Sequence, residues 1–80
     1  MIMEVDLEVF EGRRQVLRDE KASHKIKWYE DEEKICVYIV DLDFTVLKAE
    51  VVKDRFADAV AERNFRNTYC DKGLRLKREA

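Results

Sequence analysis

The stretch Lys34-Ile-Cys-Val-Tyr-Ile-Val-Asp-Leu-Asp-Phe-Thr-Val-Leu47 decides the fold. From Ile35 to Val40 both parities are apolar, the pattern of a strand buried on both faces. Asp41 and Asp43 interrupt the run at its end. Upstream, Lys25-Ile-Lys-Trp-Tyr29 alternates charged and apolar residues, which predicts a strand with one apolar face. Glu30-Asp31-Glu32-Glu33 is then a solvated turn, so a hairpin is expected from Ile26 to Val40.

Working outward, Met3, Val5, Leu7 and Val9 alternate with Glu4, Asp6 and Glu8. This period of two predicts a half-buried strand that leaves Phe10 on its wet face. Glu11-Gly12 is a turn signal, and Arg13 to Arg18 can return as a second strand. A short helix from Arg13 to Ala22 is the rival assignment, since Val16, Leu17 and Ala22 are too few to choose between them. Asp19 to Ser23 reads as a connection.

From Ala49 the period lengthens. Val52, Phe56, Ala59, Val60 and Arg63 fall on one stripe of a long helix reaching Asn67 or Asp71. Glu50, Asp54 and Asp58 repel along it at i,i+4, so burial of the stripe must stabilise the helix. Gly73 is either a left-handed cap to the longer helix or part of a hairpin loop, with Leu74 and Leu76 in a short last strand or ordered tail. The expected architecture is one α+β domain over residues 1–80. It comprises a small, mostly antiparallel sheet of four to five strands packed against one long amphipathic helix.

Composition bounds the function. Eighty residues with 46% hydrophobic content can build one core, near the size where such a core becomes marginal. Charged residues reach 42%, proline is absent, and Gln15, Ser23, Thr45, Asn64, Asn67 and Thr68 are the uncharged polar set. The high charge with few Asn and Gln is the balance expected of a thermophile with surface ion-pair networks, of which absent proline is no part. A net charge of −2 gives no overall footprint for nucleic acid or an anionic membrane, so nucleic acid is the less expected partner. No apolar run is long enough to span a bilayer, and the acidic Met1-Ile-Met-Glu-Val-Asp6 start is unlike a signal peptide. A cytoplasmic location is expected.

The usual catalytic patterns are missing. Cys36 and Cys70 stand far apart with His24 as the one histidine, too few ligands for structural zinc, and read as two small buried hydrophobes. Ser23 and His24 are neighbours in sequence and point apart on a strand, without a third group to complete a triad. Gly12 and Gly73 belong to no phosphate-binding loop. A non-enzymatic protein is expected.

The acids carry the specific expectation. In an up-and-down order Asp19 and Glu20 share one end of the sheet with Asp41 and Asp43, while Glu11 shares the other with Glu30, Asp31, Glu32 and Glu33. Seven strand residues hold the two ends about 23 Å apart, at about 3.3 Å each. Either group offers hard oxygen ligands of the kind Ca²⁺ or Mg²⁺ takes, although no EF-hand loop is present. Weak divalent-cation binding, of Ca²⁺ type, is therefore the expected function.

The alternative is a protein- or RNA-binding module. Lys25 and Lys27 flank Trp28 and Tyr29, and Lys72, Arg75, Lys77 and Arg78 cluster downstream. Self-association through a sheet edge, or through surfaces at Phe10 and Tyr38, is a third possibility. In its length, lack of proline and acid-interrupted strand Ile39-Val40-Asp41-Leu42-Asp43, the chain resembles small uncharacterised archaeal α+β proteins. The resemblance implies a thermophilic, cytoplasmic origin and carries no functional residue with it.

Overall fold

The structure, a computed structural model, describes residues 2–41, 45–71 and 73–76, with Asp41 described through its backbone. Five strands form one mixed sheet: β1 (Ile2–Glu4), β2 (His24–Glu30), β3 (Lys34–Asp41), β4 (Val46–Val52) and β5 (Leu74–Arg75). Their order across the sheet is β1-β4-β3-β2-β5. The inner pairs β2–β3 and β3–β4 are antiparallel, whereas β1 joins β4, and β5 joins β2, in parallel. The expected hairpin is present, with Ile26 opposite Ile39 and Trp28 opposite Val37. Asp31 closes its turn by accepting from the backbone N–H groups of Glu33 and Lys34 at 2.8 and 2.9 Å.

Two corrections apply to the expected fold. The first concerns residues 3–18, where the anticipated hairpin is a short strand followed by helix α1 (Leu7–Asp19). Asp6 caps the helix by accepting from the Val9 N–H at 3.2 Å. Leu7, Phe10, Arg14 and Leu17 then share one stripe, which takes Phe10 out of water entirely. The period of two is equally legible in that segment, but it would leave the largest side chain wet. Burial of an aromatic ring, at about 25 cal/mol per Å² of apolar surface, favours the helix. The helix ends in a Schellman arrangement: the Lys21 and Ala22 N–H groups reach the Arg18 and Leu17 carbonyls at 3.1 and 2.8 Å. Lys21 occupies the left-handed position with φ 54°.

Gly12, read as a turn, lies in mid-helix, and a Cβ added there meets nothing within 4 Å. Gly12→Ala is therefore expected to stabilise the fold by about 0.5–1 kcal/mol. A thermal melt checks this, and an unchanged or lowered midpoint would contradict the helix.

The second correction concerns the single long helix. Residues 46–52 form β4, with Leu47, Ala49 and Val51 on the side facing the core residues of β3. A 3₁₀ turn (Lys53–Arg55) leads to α2 (Ala59–Phe65), which runs into a π-helical turn (Arg66–Cys70). Glu50, Asp54 and Asp58 thus sit in a strand, a turn and a cap rather than repelling along one helix. Asp58 is the N-cap, accepting from the Ala61 N–H at 2.8 Å. Ala59 and Val60, expected on a buried stripe, are exposed; Phe65 and Tyr69 make the inward contacts.

Both helical segments pack on one face of the sheet. Phe10 and Leu17 of α1, with Phe65, Tyr69 and Cys70, meet Trp28, Ile35, Val37, Ile39, Leu47 and Ala49. Phe10 lies edge-on to Tyr69 with centroids 5.6 Å apart, and Phe65 tilts against Tyr69 at 4.8 Å. Gly73 passes so close to this layer that a Cβ would lie 2.5 Å from the Tyr69 carbonyl oxygen. It has no positive φ, so steric room, not a left-handed cap, is what glycine supplies here.

Candidate functional site

Because Cβ atoms alternate along a strand, the register defines what occupies the opposite face. Lys27, Tyr38 and Lys48 form one row across β2, β3 and β4, and Tyr29, Cys36 and Glu50 form the next. Lys25, Val40 and Val46 lie in the row on one side of these, and Lys34 and Val52 on the other. No described helix packs on this face. The run from Ile35 to Val40 is thus covered by helices on one side only.

At the centre of the open face, the Tyr29 and Tyr38 rings stack with centroids 6.2 Å apart and planes 26° from parallel. Lys48 holds its ammonium 6.0 Å from the Tyr38 ring centroid. Below the rings, Cys36 is fully buried and its thiol is 3.8 Å from Glu50 Oε1. Burial pushes that thiol's pKa up. A hydrogen bond with Cys36, aided by burial, pushes the Tyr29 phenol to about 12. Tyr29 therefore presents a neutral ring.

Glu50 is the acid at the middle of the face. It pairs with Lys48 at 3.2 Å and Lys34 at 3.3 Å, and these ammonium groups hold its carboxyl below the usual range. Lys48 also reaches Glu4 at 3.5 Å. Lys25 and Lys27 have no ion pair among the described residues. Described residues of this face thus bring four lysines against Glu4 and Glu50, a positive surface on a chain of net charge −2.

The acids proposed as cation ligands are placed differently. Glu30 is bound by Arg66 through two hydrogen bonds, at 2.7 and 3.0 Å, and by Lys53 at 2.7 Å. Those partners hold its carboxyl at about 2. Asp31 is committed to its own turn, and Glu32 and Glu33 are exposed beside it. Asp19 accepts from Gln15 at 2.9 Å, and Glu20 is the C-cap of α1. The backbone of Asp41 pairs with His24, but its side chain and Asp43 lie outside the described residues. Among the described residues no three His, Cys, Asp or Glu side chains come together as metal ligands.

For the surfaces read as sticky, Phe10 is buried and Tyr38 lies on the open face. Trp28 points to the helical side, where the Arg75 guanidinium lies 5.3 Å from its ring centroid. Lys72, Lys77 and Arg78 fall outside the described residues. Sequence reasoning paired Lys25 and Lys27 with Trp28 and Tyr29 but did not join Tyr38, named only as a self-association surface, to them, and missed Lys34 and Lys48. The signal was available: a turn between Glu30 and Lys34 sets Lys27 opposite Tyr38 and places Tyr29 diagonally from it. Among the described residues no helix is long and apolar enough to cross a membrane. Comparison with protein-family models, curated proteins and solved structures finds no match.

Proposed function

We propose that the protein is a small binding module for single-stranded RNA, with no chemistry of its own, and that the open face of its sheet is the contact surface. The observation that carries this reading is the Tyr29–Tyr38 pair on neighbouring central strands, with Lys27 and Lys48 on either side of Tyr38. Tyrosine rings on a sheet give unpaired bases a flat apolar surface, and flanking ammonium groups neutralise the backbone. Lys25 and Lys27, free of ion pairs among the described residues, supply charge without first breaking a contact. Lys34 and Lys48 are pinned by Glu50, which fixes their geometry beside the rings. The positive face answers a polyanion despite the acidic total.

Fluorescence anisotropy with a mixed pool of short, labelled RNAs tests this. Stacking contributes about 1–3 kcal/mol per base, so Tyr38→Ala should weaken binding by roughly 5- to 150-fold. Tyr38→Phe, which keeps the ring, should bind like the parent. Lys25→Gln and Lys27→Gln should each flatten the salt dependence by about 0.7 in slope if both contact phosphates. RNA binding that survives Tyr38→Ala, or no salt-sensitive binding at all, rejects the proposal.

A further inference from the structure

The sheet edge beside the open face holds a second feature. β5 pairs with β2 at Lys27 and Trp28 alone, so the outer edge of β2 from His24 to Ile26 has no strand against it among the described residues. There a cleft of about 520 Å³ opens between β2, α1 and the π-helical turn. Its walls include Arg14, Arg18, His24, Lys25, Lys27 and Thr68, and no acid lines it among the described residues. In a chain with more acids than bases, that selection of one sign of charge is the notable fact.

The permanently charged donors there are Arg14, Arg18, Lys25 and Lys27. Thr68 already donates its hydroxyl proton to the Asn64 carbonyl at 2.8 Å. Arg14 gives one N–H to Glu11 at 2.7 Å and lies 5.5 Å from the Tyr69 ring centroid, which fixes its guanidinium and leaves other N–H groups unassigned to Glu11. Arg18 has no ion pair among the described residues. His24 Nδ1 is 3.0 Å from the Ala22 carbonyl oxygen and donates its N–H there; Nε2 donates to a ligand only when the ring is doubly protonated. Such a set suits a phosphate, which takes charge-assisted hydrogen bonds from several directions.

We infer that this cleft binds a phosphate monoester, and that the group it receives is the terminal phosphate of the RNA strand laid over Tyr29 and Tyr38. The strand-end part of the inference rests on the function proposed above; the phosphate part stands on the cleft alone. Lys25 and Lys27 connect the two regions, since they belong to the rows of the open face and to the walls of the cleft. A terminal monoester carries about −1.5 to −2 charges near neutral pH, whereas each internal phosphate carries one, so a many-cation cleft favours the end of a chain. The volume, within the roughly 300–1,000 Å³ of small-molecule sites, admits the phosphate together with its nucleoside.

Amide-resolved NMR titration with inorganic phosphate, at constant ionic strength set by chloride, tests the cleft. Saturable shifts confined to Arg14, Arg18, His24–Lys27 and Thr68 are expected, and Arg18→Gln should abolish saturation while leaving the melting curve unchanged. Shifts spread over all lysines, or saturation that survives Arg18→Gln, would overturn the site. Anisotropy with one RNA pentamer carrying a 5′-phosphate, a 3′-phosphate or neither tests the strand end. At least about tenfold tighter binding of one phosphorylated form, lost in Arg18→Gln, is expected. Equal binding of all three forms, or adenosine monophosphate binding as tightly as the phosphorylated pentamer, would overturn the strand-end assignment. The two failures separate. Phosphate saturation without any RNA binding rejects the open face and retains the anion site, whereas Tyr38-dependent RNA binding without phosphate saturation does the reverse.

Discussion

Phe10→Ala is expected to destabilise the protein by about 3–5 kcal/mol, the range for removing a buried aromatic ring. Phe10 is fully buried and meets Tyr69 edge-on. Tyr69 in turn is fixed by donating its hydroxyl to Glu11 and by its contact with Phe65. The cavity would therefore open where α1 and the π-helical turn meet the sheet, and neither side is free to collapse into it. For a domain of this size the loss corresponds to roughly 12–40 °C in melting temperature. Val9→Ala is the matching control. Val9 is 53% exposed on the outer side of α1, and its truncation should move stability by less than about 0.5 kcal/mol. A strand through residues 3–10 demands the opposite pair of results, with Val9 inside and Phe10 in water. Two melting curves followed by circular dichroism decide between them.

The second large effect belongs to Glu30. It ties the end of β2 to Arg66 in the helical layer and to Lys53 in the turn after β4. Glu30→Gln keeps the shape and removes the charge. The expected loss is about 1.5–3 kcal/mol at neutral pH, the range for hydrogen bonds to charged groups. The pH dependence has a definite sign. The folded carboxyl titrates at about 2 against an ordinary 4.5, so between those values the unfolded chain binds the extra proton. The stabilisation is full above pH 4.5 and is lost as pH falls toward 2. Denaturant titrations across that window should show the parent and Glu30→Gln converging as the pH drops. Curves that coincide across the whole window would mean that the contacts with Arg66 and Lys53 contribute nothing to stability.

The hairpin from Ile26 to Val40 was legible because its signals agree: alternation in β2, a continuous apolar run in β3 and four acids between them. Residues 3–18 misled because Leu7, Val9 and Phe10 satisfy two periods at once, and only the partner surface shows which one buries the ring. Lys21 hid the end of α1, since a left-handed cap is normally announced by glycine. The span from Ala49 onward misled for a different reason. Val52, Phe56 and Ala59 are spaced for a helix, yet Leu47, Ala49 and Val51 alternate equally well, and β-branched Val51 and Val52 suit the strand. Half of the open face could be read from Lys25, Lys27 and Tyr29. The basic cleft could not, because Arg14 and Arg18 approach His24 only once their segment is a helix.

The placement of the two parallel strands has a kinetic consequence. β2, β3 and β4 form a continuous meander whose partners are close in sequence, while Ile2 must find Val46 and Leu74 must find Lys27 across most of the chain. Closing long loops is slow and entropically costly, so the meander should assemble early and its flanks should dock last. Native-state hydrogen exchange would then divide the sheet in two: amides of β3 exchanging only through global unfolding, and those of β1 and β5 through smaller, more frequent openings. Each such opening bares an edge of the meander, and on the β2 side that edge carries Lys25 and Lys27.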